Sequence, residues 1–124
     1  MFLPALDLAG KKIHRLTARY LAMETLIGIE LEKRRTGKYP EKLENLPLDP
    51  FGQPLLYRHG KMPYIRYRWD SKMNMIGPGK KVMVDAVAVW SRGANRKDDQ
   101  GLSNWKEDGK PTDDARAMMM KYPR

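Results

Sequence analysis

Five side chains toward the C-terminal end carry the oxygen chemistry of this sequence: Asn95, Asp98, Asp99, Asp113 and Asp114. A hard divalent cation such as calcium takes about six to eight oxygens at roughly 2.3–2.6 Å, drawn from carboxylates, side-chain amides and backbone carbonyls on a loop that can wrap it. These five, with the carbonyls of the Ser91 to Ala94 turn, offer such a set. Because adjacent acids rarely both face one ion, Asn95, Asp98 and Asp114 are the first choices as ligands, with Asp99 and Asp113 as alternates. The spacing is not that of an EF-hand, whose D-x-[DN]-x-[DN]-G-x5-E pattern is absent. The same acids also read as a solvated loop face, and the residues alone leave both readings open.

The remaining reactive side chains form no catalytic constellation. His14 falls on the flank of a helical segment and His59 in a turn, without an acidic partner in spacing, so each reads as a surface histidine. Ser91 and Ser103 have no His-acid arrangement to activate them, and Glu24 and Glu30 read as helix pairing residues rather than a catalytic couple. Cysteine is absent, which removes disulfides and cysteine-ligated zinc or iron-sulfur sites. Neither an enzyme nor a small-molecule substrate is expected.

A net charge of +9 raises the question of nucleic acid. Asp98 to Asp114 holds six acids against two bases, a local charge of −4, so the rest of the chain carries +13. That excess is scattered rather than gathered, which favours a solvated surface over a phosphate track. Tyr64, Arg66, Tyr67, Arg68 and Trp69 could form a stacking strip for single strands. Strand alternation instead puts most of these aromatics opposite the arginines. A small basic nucleic-acid-binding module is therefore the second reading.

The elements that must position these residues begin with one long helix over 4–35. Leu6, Ala9, Ile13, Leu16, Tyr20, Met23, Ile27 and Leu31 follow at alternating spacings of three and four, an apolar stripe at helical period. Leu21, Leu26 and Ile29 lie off the stripe, so the second half is expected to sink into a core and the first half to project toward a partner. A turn and corner over 37–54 follow, then an antiparallel sheet over 55–90, with strands at 55–57, 64–69 and 81–90 and a hairpin turn at Arg58-His59-Gly60-Lys61. The acidic loop spans 91–114, and Ala115 to Tyr122 is expected to make a last helical turn. At 124 residues a single domain is expected. The fold class is α+β: a long N-terminal helix on a small three-stranded antiparallel sheet, with an irregular acidic C-terminal loop.

Three stretches in this order resemble the globular part of a type II secretion major pseudopilin, within the type IV pilin superfamily. Gly37-Lys38-Tyr39-Pro40-Glu41-Lys42-Leu43 is similar to the G-x-Y-P-x-x-L after the long pilin helix. Leu48-Asp49-Pro50-Phe51-Gly52-Gln53-Pro54-Leu55-Leu56-Tyr57 looks like the D-P-[FW]-G-x-P corner, and Val89 to Asp99 resembles the last strand and the start of a calcium loop that Asp113-Asp114-Ala115 would close.

The resemblance implies a non-enzymatic structural and assembly subunit of a type II secretion or related system, involved in protein transport. Its terminal loop would hold calcium, and its partners would be further copies or other pseudopilin-like subunits meeting the helix. It also implies a periplasmic or cell-envelope location, with a membrane anchor in the full-length form. The prepilin-peptidase site and the apolar span that such proteins begin with are not in this sequence, which is then a fragment lacking its membrane segment or a cousin that never enters a filament. Arg96 also stands where the family usually has glycine, and the loop before the last strand is longer.

Overall fold

A computed structural model describes residues 3–102 and 114–120, with side chains given for most of them. Helix α1 spans Leu3–Thr36. Lys33, Arg34 and Arg35 occupy its last turn, where cations meet the negative end of the helix dipole. Gly37 ends it by taking a φ of 88° and donating its N–H to the Lys33 carbonyl, the left-handed cap that glycine adopts without a Cβ penalty.

Three antiparallel strands follow: β1 (Leu56–Trp69), β2 (Met75–Ser91) and β3 (Ala115–Met120), in the order β1-β2-β3. Helix α1 lies on β2 and β3. Its contact face is Ala22, Leu26 and Ile29 against Val87, Val89 and Ala117, with Leu55 beside them. Leu21, Tyr39, Leu43, Leu46 and Tyr57 close the margin of this core. The opposite face of the sheet has a second core of Met62, Ala86, Ala88 and Trp90. That core is roofed by the loop after β2. A side chain at Gly101 would meet Met62 Cε at 3.1 Å and Trp90 Cδ2 at 3.3 Å, so the loop backbone lies directly on the sheet. Residues expected to be bare loop thus cover apolar surface.

The sheet expected from the sequence is overturned in its make-up, although the α+β class holds. Segments 55–57 and 64–69 are not two strands joined by a turn. Arg58, His59, Gly60 and Lys61 pair with Ala88, Val87, Ala86 and Asp85, so β1 runs unbroken through them. Gly60 there takes a φ of 145°, a strand distortion that glycine allows, in place of the expected hairpin turn. The real hairpin turn is Asp70 to Asn74, where Asp70 Oδ1 accepts from the N–H groups of Lys72 and Asn74.

The expected helical turn at Ala115 to Tyr122 is also overturned. Ala115 to Met120 forms β3 because it can pair along Ala86 to Ser91 of β2, which outweighs the helical preference of alanine and methionine. Residues 121 and 122 lie outside the described residues. Residues 75–80, outside the three strands expected from the sequence, are strand as well, through Gly77-Pro78-Gly79. Their pairing with β1 carries two register shifts, between Ile65 and Tyr67 and between Arg68 and Trp69. A Cβ on Gly79 would sit 2.4 Å from the Arg66 carbonyl oxygen, so only glycine fits where the ribbon bends.

The small residues of β2 do not lie under the helix. Ala86 and Ala88 face the second core, and the helix rests on Val87 and Val89. Close approach comes instead from the helix side, where Ala18 and Ala22 are fully buried.

Candidate functional site

Two places in the fold gather the residues singled out by sequence. The first is the end of the sheet where the corner, the end of β2, the acidic loop and the start of β3 meet. Asp49 is buried there and organises the corner: its Oδ1 accepts from the Phe51 and Gln53 N–H groups at 2.9 Å, and its Oδ2 from the Ser91 hydroxyl at 2.6 Å. Ser91 Oγ in turn accepts the Gly93 N–H. Arg92 reaches Gln53 Oε1 at 3.0 Å. Two of the three sequence stretches carrying the pilin resemblance are therefore bonded to one another. Sequence reasoning missed this knot, although an aspartate just before Pro50-Phe51-Gly52 is the signature of a side chain capping its own turn. Ser91 is occupied as its buried tie.

The acidic loop sits against this knot. Arg96 takes a left-handed φ of 57° without being glycine, and its guanidinium donates to the Phe51 carbonyl at 3.3 Å, a contact that glycine could not make. Asn95 is exposed and its Oδ1 accepts the Lys97 N–H. Asp98 Oδ1 accepts from the Trp90 indole at 3.0 Å and from the Gln100 N–H at 2.9 Å.

Asp114 is fully buried. Its Oδ2 accepts the N–H groups of Asp99 at 3.0 Å and Gly101 at 2.9 Å, while its Oδ1 is buried with no partner among the described residues. Burial pushes its carboxyl up to about 7, the nearby Asp99 and Asp98 charges add to the rise, and the two backbone bonds oppose it. Arg15 on the helix donates to the Asp114 carbonyl at 3.1 Å. Of the expected ligands, Asp98, Asp99 and Asp114 are thus brought together; Asn95 stays in its own turn and Asp113 lies outside the described residues. Among the described residues no group of three or more acids and histidines is arranged to hold a metal ion.

The second place is the helix surface. The stripe at strict helical period is on the outside. Ile13, Leu16, Tyr20, Met23, Ile27 and Leu31 are all exposed, between 45 and 62%, whereas Ala18, Ala22, Leu26 and Ile29 make the buried face. The expectation that the second half would sink into the core is corrected: the sheet covers one side of it, and Tyr20, Met23, Ile27 and Leu31 stay out. The side chain of Leu6 lies outside the described residues. Along the edge of the sheet an open apolar groove of about 430 Å³ runs between Met23, Ile27, Leu31 and Met119, with Glu30 and Arg34 on its rim.

The other flagged residues have local duties. Tyr39 donates from its hydroxyl to Glu30 Oε2, and burial followed by this bond pushes the phenol up to about 12. Tyr57 donates to the Pro40 carbonyl. His59 packs edge-on against Tyr39 at 5.2 Å and His14 against Phe51 at 5.7 Å. The two histidines belong to separate contacts. Ser103 lies outside the described residues.

Comparison with known proteins returns no matching family model, no matching curated protein and no matching solved structure. No described helix is long and apolar enough to cross a membrane.

Proposed function

We propose that this chain is a non-enzymatic assembly domain of pseudopilin type, which joins its partners through the outer stripe of α1. The observation that carries the reading is the stripe itself. Six large apolar side chains on one helix face stay exposed while the domain completes two cores without them. Burying one leucine or isoleucine contributes roughly 1.5–3 kcal/mol, so a stripe of this length is sufficient to drive association with a like helix. The partners fitting it are a second copy or a subunit with a matching helix. Nucleic acid fits less well, since the stripe is apolar.

The acidic loop has calcium as its proposed ligand. Asp114 supports this by its unpartnered buried Oδ1 and by the negative charges of Asp98 and Asp99 that bear on it. A cation there would neutralise carboxylates that otherwise repel each other and would fasten the loop to the second core.

The test of assembly is sedimentation over a concentration series. The unmodified chain is expected to associate in the micromolar to millimolar range. A Leu16→Ser/Met23→Ser/Ile27→Ser variant is expected to remain monomeric with the same circular dichroism. A monomer at every concentration, with no gain on adding a second helix-bearing subunit, would overturn the proposal. For calcium, melting in millimolar ion against chelator should raise the midpoint by on the order of 10 °C, and equal midpoints would remove the ligand.

A further inference from the structure

The outer end of the β1–β2 ribbon, residues 66–81, takes no part in either core or in the assembly stripe. None of its described residues is buried, and the helix lies over β2 and β3, away from this end of the ribbon. A two-stranded ribbon is marginal in water even with an apolar face to bury, yet this one shows its apolar groups to solvent. Trp69 is 59% exposed and Met73 77%, with Met75 and Ile76 about half exposed. Trp69 and Met75 stand directly opposite in the register, and the shift beside them leaves Ile76 as an extra residue on β2. All four fall within three residues of the Asp70 to Asn74 turn or inside it.

Cations surround this tip. Arg66, Arg68, Lys72, Lys80 and Lys81 are all exposed, against one acid, Asp70, giving the segment +4. Asp70 spends its Oδ1 on the turn. With about 3.3 Å per strand residue, Arg66 lies roughly 13 Å behind Asp70. Apolar groups at a tip and long cationic side chains behind it match the depth profile of an anionic bilayer. Its acyl boundary accepts side chains about 5–10 Å below the headgroups, and its phosphates lie above that boundary.

We propose that this ribbon end is an arm that docks the protein onto an anionic membrane surface, with Trp69, Met73, Met75 and Ile76 entering the interface and the cations holding lipid phosphates. Lys72, in the turn itself, reaches back to the phosphates by the length of its stem. A nucleic-acid strand fits the same charge but not the same tip. Single strands are held by several exposed aromatic faces, and here Tyr64 and Tyr67 are half-buried, leaving Trp69 beside methionines and isoleucine. This arm is separate from the helix stripe, so the two proposals stand or fall independently.

Flotation of the full chain with vesicles at physiological salt tests it. Binding is expected to phosphatidylcholine vesicles containing phosphatidylglycerol and not to phosphatidylcholine alone. Trp69→Ser/Met75→Ser/Ile76→Ser should weaken it at least tenfold, and Lys72→Gln/Lys80→Gln/Lys81→Gln on the order of a hundredfold, at about fivefold per cation. Lys12→Gln/Arg19→Gln/Lys42→Gln, which removes the same charge elsewhere, should change it less than threefold. Since the chain has no cysteine, a Met73→Cys variant carries one environment-sensitive fluorophore, whose emission should shift to the blue on the anionic vesicles. The proposal is overturned if neither vesicle binds, if the serine variant binds as well as the parent, if the distant charge variant loses as much as the arm variant, or if only a single-stranded oligonucleotide is retained.

Discussion

The two faces of α1 divide the apolar residues of one helix in opposite ways. The inner face uses small and medium side chains, Ala18, Ala22, Leu26 and Ile29, and is sealed. The outer face has the larger and more regular set, and water reaches all of it. Burial therefore followed fit rather than size. Where the helix lies on a sheet of Val87, Val89 and Ala117, Ala18 and Ala22 let the backbones approach, and Leu26 and Ile29 fill the space that remains. Both faces keep the helical period; what separates them is that the sheet lies against one and nothing in the described chain lies against the other.

The comparison is broken most severely by placing a charge on the inner face. Ala22→Asp puts a carboxylate where the parent residue has no solvent exposure, at a penalty of several kcal/mol, a large part of the total stability of a domain this size. The expected outcome is the loss of a cooperative thermal transition by circular dichroism; a melt within a few degrees of the parent would show that the helix does not rest on the sheet.

Smaller and opposite in sign is the effect of Asp114→Asn, at the end of the sheet that Arg15 ties to the helix. Burial raises this carboxyl to about 7 in the folded chain, against a usual value near 4. The folded state therefore holds a proton that the unfolded state has released between those values. Stability falls as pH rises from about 4 to about 7 and is lowest above it. The asparagine variant should flatten that slope and melt higher at pH 8 in chelator, by an amount on the order of 2–4 kcal/mol. It should also lose the calcium response. A parent slope of the other sign would show Asp114 ionised throughout. Alanine is the poorer test, since it would leave the Asp99 and Gly101 N–H groups without their acceptor and cost about 1–3 kcal/mol for reasons unrelated to any ion.

The smallest expected effect sharpens the comparison from outside. Ile27→Ser, on the exposed face, should move the monomer's stability by no more than about 0.5 kcal/mol in a urea titration while weakening association. A loss of 2 kcal/mol or more would mean that the outer stripe is covered by its own chain.

Much of the candidate site was legible because it is local. Asp98, Asp99 and Asp114 could be named from composition, and two carboxylates within a short loop must lie near each other. Asn95 could not be sorted from them, because whether an amide oxygen turns to a shared ion or to its own Lys97 N–H depends on loop conformation. The bond between Asp49 and Ser91 was out of reach, since nothing local marks a partner so far along the chain.

By itself the sequence determined the long helix and its glycine stop and the proline and glycine corner, which rest on interactions within a few residues, and the absence of cysteine chemistry. Only the tertiary structure decided which helix face is buried, that β1 runs on through Gly60, and that Ala115 to Met120 is an edge strand. The physical reason is common to the three: each state is chosen by a surface contributed from elsewhere in the chain. Periodicity reports that a stripe is apolar, but the shape of the sheet opposite decides whether it is covered.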